Sequence, residues 1–146
     1  PVSGQVAQLY AKKEETTTPA SSAHVSDVLS AATLAELELL GGQDSMFVPR
    51  LLGKYVTDCG ALIKLIKQNL AAKRYGELHE FLHALKGNSL SIGAIAVSQQ
   101  AELMDKASPE ELRFRGTIMF EQLDKAFEAA KQAINDYLSS RQAASS

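Results

Sequence analysis

Val48, Leu52, Tyr55, Cys59, Leu62, Ile66 and Leu70 recur in steps of four and three residues. A strand cannot use that spacing, because its side chains change face at every residue. An α-helix places all of these residues on one stripe, the seam of a helix that packs in a bundle. Leu51, Val56 and Ile63 widen the seam. Asp44 or Ser45 can cap the start, and Pro49 falls in the first turn, where proline is tolerated. Gly60 weakens the middle of this helix, yet the pattern runs through it.

The rest of the chain offers matching stripes. Ser30 can cap a short helix carrying Leu34, Leu37 and Leu40, which stops at Gly41-Gly42. A helix over about 74–90 gathers Tyr75, Leu78, Phe81, Leu82, Leu85 and Ser89 within about 60° of one direction. Gly93 marks a break, and Val97, Ala101 and Met104 then give the apolar side of a helix over 94–106. Ser108-Pro109-Glu110-Glu111 is a strong start signal: a cap, a proline at the first helical position, and a glutamate completing a capping box. Phe120, Leu123, Phe127, Ala130, Ile134 and Tyr137 continue the last helix at three-four spacing. Gly116 is expected to interrupt its first two turns, and residues 142–146 to fray. No strand-type alternation competes with this reading. The fold class is therefore all-α: an antiparallel four-helix bundle over 27–141, with an additional short N-terminal helix across one end.

Residues 1–26 differ in character. Thr16 to Ala23 is small and polar and reads as a flexible linker. Val6 to Lys13 reads as the end of a preceding helix or domain, and His24 is assigned no role. Net charge is −2, which leaves no basic field for nucleic acid. No apolar run approaches the length of a membrane span, and no signal-peptide pattern opens the chain. A single cysteine, Cys59, excludes an internal disulfide and sits on the core stripe.

Chemistry is concentrated on the third helix. With Leu78 at 0°, His83 falls at about 140°, away from the buried stripe. His79, Lys86 and Leu90 lie on one flank of His83, and Gly76 and Gly87 on the other. A glycine costs roughly 1 kcal/mol inside a helix, so Gly87 beside an outward histidine suggests close approach by another molecule. An exposed imidazole is largely neutral at pH 7 and carries one free lone pair.

The run His83-x-Leu85-Lys86-Gly87-x-Ser89-x-x-x-Gly93-Ala94 resembles the signature of histidine-containing phosphotransfer (HPt) domains. Asn88 and Ile92 stand where that signature commonly has Ser and Leu. The resemblance covers about residues 28–140 and implies a phosphorelay function. His83 would accept a phosphoryl group from a receiver-domain aspartate and pass it to another. Lys86 would neutralise charge on the transferring group. His79, Leu82, Gly87 and Leu90 would contribute to docking. Partners would be response-regulator receiver domains, in cis or in trans, with Mg2+ carried by the receiver and no cofactor on this chain. Many such domains place a polar residue of the next helix near the phosphohistidine. Asp105 stands at that spacing here, and Gln99 and Gln100 lie a turn or more earlier. The expected setting is cytoplasmic, at the C-terminal end of a hybrid sensor histidine kinase whose parent chain can be anchored in the inner membrane. With no nucleotide-binding signature, the segment is expected neither to bind ATP nor to phosphorylate itself.

Two other readings use the same residues. His79-Glu80-Phe81-Leu82-His83 matches H-E-x-x-H, a helical zinc-binding pattern. No histidine follows His83, which leaves only a carboxylate such as Glu102 or Asp105 as a third ligand. Alternatively, the exposed face serves a non-catalytic docking module, a reading that leaves the pairing of His83 with Lys86 unexplained.

Overall fold

The helices of the computed structural model, which describes residues 27–145, are α1 (Ala31–Gly41), α2 (Phe47–Ala71), α3 (Tyr75–Ile92), α4 (Ile95–Lys106) and α5 (Pro109–Ser145). The expectations for residues 1–26 lie outside the described residues. Among the described residues there is no strand. Residues 72–74, 93–94 and 107–108 are the only breaks between α2 and α5. Connections this short fold consecutive helices back on one another, and α2 to α5 form the bundle.

The ends are set by local chemistry. Ser30 caps α1, its Oγ accepting from the Thr33 N–H at 3.2 Å, and Gly42 ends it with φ +58. Before α2, Asp44 accepts from the Met46 N–H at 3.0 Å, although Met46 itself holds the cap position. Ser108 caps α5 by accepting from the Glu111 N–H at 3.1 Å. The turn from α3 to α4 depends on Gly93, which is left-handed at φ +87. A Cβ there would also meet Thr33 Cβ at 2.9 Å and Ser30 Cβ at 3.0 Å. The Gly93 carbonyl accepts from the Ser30 N–H at 2.8 Å, so this turn also seats the start of α1.

The core is a continuous apolar cluster running from Leu29 to Ile134. In α2 the buried side is Val48, Leu52, Tyr55, Cys59, Ile63, Ile66 and Asn69. The later part of the seam thus moves from Leu62 to Ile63 and from Leu70 to Asn69. Leu62 and Leu70 lie beside them and pack half-buried against the core. Asn69 is buried without an orphan group, because its side-chain amide donates to the Leu65 carbonyl at 2.8 Å.

Two sequence expectations change for α1 and α5. Leu40 is 75% exposed and does not join the α1 stripe. Gly116 does not interrupt α5; it is buried, and a Cβ at that position would meet Leu70 Cδ1 at 2.8 Å. The glycine permits close packing of α5 on α2. α5 is helical as far as Ser145.

Candidate functional site

The orientation of α3 follows from its buried residues, Leu78, Leu82, Leu85, Ser89 and Ile92. These anchor one face to the core and turn His79, His83, Gly87 and Leu90 outward, all of them exposed. Leu82 is 1% exposed and cannot touch a docking partner. It lies on the same stripe as Leu78 and Leu85, so its assignment to the docking face is corrected to core.

A polar contact fixes α3 from beneath. The Tyr55 hydroxyl and Ser89 Oγ lie 2.8 Å apart, both buried. Burial pushes the Tyr55 hydroxyl well above the ordinary tyrosine range, with the Ser89 hydrogen bond opposing it. Ser89 is therefore a packing residue, matching its place on the apolar stripe. Burial pushes the Cys59 thiol up to about 11, with the neighbouring Asn88 side chain opposing it. Cys59 is fully buried, and at neutral pH it is a core thiol.

The outward face is shaped by α4. His79 and His83 stack one turn apart, with ring centroids 6.0 Å apart and an interplanar angle of 23°. His79 Nδ1 lies 2.6 Å from Asp105 Oδ1. One turn further along α3 from His83, Lys86 Nζ donates to Glu102 Oε1 at 3.0 Å. Lys106 also approaches Glu102 Oε1, at 3.4 Å. Lys86, then Lys106, holds the Glu102 carboxyl below its usual range. His83 thus sits between two cross-helix bridges, His79–Asp105 and Lys86–Glu102. Their carboxylates come from positions three apart on α4, which share one helix face.

Gly87 completes the face. A Cβ built there would meet nothing within 4 Å, so the surface beside His83 is open. Leu90 adds a half-exposed apolar side chain, 49% accessible. Among the described residues, no group of three His, Cys, Asp or Glu side chains is placed to hold a metal ion. The spacing of His79 and His83 within the H-E-x-x-H run is thus not extended into a coordination set, and His79 Nδ1 is turned to Asp105.

Sequence spacing brought Asp105 near the histidines but did not identify its partner. Glu102 as the partner of Lys86 had no local signal, because the contact depends on how α4 returns along α3 after Gly93. No described helix is long and apolar enough to cross a membrane.

The family model described as "Hpt domain" matches residues 50–136. No curated protein matches the chain. The fold is similar to the crystal structure of histidine-containing phosphotransfer protein B from Pseudomonas aeruginosa PAO1, at 21% identity and TM-score 0.68, covering 79% of this chain and 95% of that one. It is also similar to a rice protein described as a histidine-containing phosphotransfer protein, at 18% identity and TM-score 0.73, covering 94% of this chain and 98% of that one. The family match takes in more than half of the chain, including all of α3 and α4. The chain therefore belongs to the Hpt domain family, and its function is histidine phosphotransfer in a phosphorelay.

Proposed function

We propose that His83 is the phosphoacceptor, exchanging the phosphoryl group with aspartates of response-regulator receiver domains. The observation that carries this reading is the exposed imidazole of His83 on the face of α3 opposite its buried stripe, beside the open surface at Gly87. The neutral ring offers a lone pair to the phosphorus of an aspartyl phosphate. The new N–P bond forms as the P–O bond to the aspartyl carboxylate breaks, and the carboxylate leaves with the electron pair. The reverse step returns the group to a receiver, so the histidine acts as a relay point.

Negative charge on the transferring group calls for a cation nearby. Lys86 is one turn from His83 and half-buried, with Glu102 as its resting partner. It meets the phosphoryl oxygens by exchanging one carboxylate oxygen for another anionic acceptor. His79, Gly87 and Leu90 supply the docking face. Mg2+ belongs to the receiver's acidic pocket, and the setting is cytoplasmic, as part of a hybrid histidine kinase or beside one.

The test is label transfer from a phosphorylated receiver domain to the wild-type chain, His83→Gln and His79→Gln. Acid-labile, base-stable label is expected on the wild type and on His79→Gln, and none on His83→Gln. Equal labelling of His83→Gln would remove His83 from the role.

A further inference from the structure

The proposed function leaves the His79–Asp105 bridge without a chemical role. Asp105 is an acid close to the place where a phosphoryl group would sit, a position that by charge alone opposes phosphorylation. Its side chain is only 20% accessible, whereas that of His79 is 72% accessible. The carboxylate is thus the inner member of the pair and the imidazole the outer one.

The contact uses Nδ1 of His79, at 2.6 Å from Asp105 Oδ1. With Nδ1–H donating to the carboxylate, Nε2 is the ring nitrogen left for another contact. The near-parallel rings place His79 alongside His83, one turn away on the same face. In its protonated form His79 donates from both nitrogens, one to Asp105 and one to a second anion.

Resting on the assignment of His83 as phosphoacceptor, we propose that His79 is a second phosphoryl-binding residue. Its Nε2–H donates to an oxygen of the phosphoryl group on His83, and Asp105 is the positioning residue that holds the ring for this contact. The phosphoryl group would then meet two donors of α3, Lys86, drawn from Glu102, and His79, still held by Asp105. This assigns His79 a role beyond contact with the receiver surface.

Rates alone cannot separate these roles, but an equilibrium can. At concentrations where the proteins are mostly dissociated, docking accelerates forward and reverse transfer alike. The balance between phosphorylated chain and phosphorylated receiver then depends on the stability of each phosphorylated product. A residue that binds the phosphoryl group in the free phosphorylated chain shifts that balance.

The experiment measures the transfer equilibrium with one receiver, under dilute conditions, for wild type, His79→Gln and His79→Arg. Circular dichroism checks the fold of each. We expect His79→Gln to move the equilibrium toward the receiver by about two- to fivefold, the scale of an exposed charge-assisted contact. His79→Arg, which keeps a cationic donor, should restore most of the shift. An unchanged equilibrium with slowed approach in both directions would make His79 a docking residue and overturn the proposal. Failure of the wild-type chain to accept any label would instead strike at the His83 assignment.

Discussion

At the residue scale, the Tyr55–Ser89 contact ties α3 to α2 through a buried polar pair. Both oxygens are buried, and each is the other's partner at 2.8 Å. None of the buried side-chain polar atoms of the described residues lacks a hydrogen bond. Removing one partner leaves the other with its desolvation cost uncompensated. Ser89→Ala should therefore destabilise the domain by about 1–3 kcal/mol, read as a lower urea midpoint. Adding Tyr55→Phe should recover part of that loss, since no polar atom is then stranded. Additive losses in the double variant would mean that the hydroxyls act separately. His83 presents the opposite case. It points outward and packs on nothing in the core, so His83→Gln should retain stability while losing phosphotransfer.

At the scale of elements, two glycines of the same helix segment have opposite uses. Gly87 lies within α3 with open space where a Cβ would go. Gly87→Ala should stabilise the isolated domain by about 0.5–1 kcal/mol through helix propensity. The same methyl should slow transfer from a receiver, if this surface meets the partner. Gly93 ends α3 in the left-handed region against Ser30 and Thr33. Gly93→Ala should cost about 1–2 kcal/mol from backbone conformation alone, and the crowding at α1 adds to it. Chemical denaturation compares the two variants directly; stabilisation by both would refute the distinction. The course of α3 was legible because it is written locally: Leu78, Leu82 and Leu85 set its rotation, and Gly93 its end. That rotation alone turned His83 outward. The carboxylate partners of Lys86 and His79 were not legible in the same way. They depend on the register of α4 against α3, which no spacing within either helix encodes. Gly116 shows the same limit: its sequence context suggests a break, and only the approach of Leu70 reveals a packing site.

At the scale of the whole molecule, the question is what holds the short α1 to the bundle. One end is fixed at the α3–α4 turn, where the Ser30 N–H donates to the Gly93 carbonyl at 2.8 Å. The other is fixed by α5, whose length carries Tyr137 and Arg141 to Glu38. Arg141 donates to both Glu38 oxygens, from Nε at 2.7 Å and from an Nη at 3.1 Å, and the Tyr137 hydroxyl donates to Oε2. The Arg141 hydrogen bond, then that of Tyr137, holds the Glu38 carboxyl below its usual range. Burial first, and then Glu38, pushes the Tyr137 hydroxyl up to about 12. The two shifts bound a window of stability. A depressed carboxyl pKa gives stabilisation that is present above the unfolded-state value and is lost as pH falls through the folded value. A raised hydroxyl pKa gives stabilisation that is present below the unfolded-state value, near 10, and is lost as pH rises toward about 12. Glu38→Gln should therefore lower the thermal midpoint at neutral pH. The gap to wild type should close as acid protonates the wild-type carboxyl. Thermal unfolding of both proteins across acidic and neutral pH measures this gap. Midpoints that stay parallel down to the acid limit would show that the clasp between α1 and α5 does not contribute through the Glu38 charge.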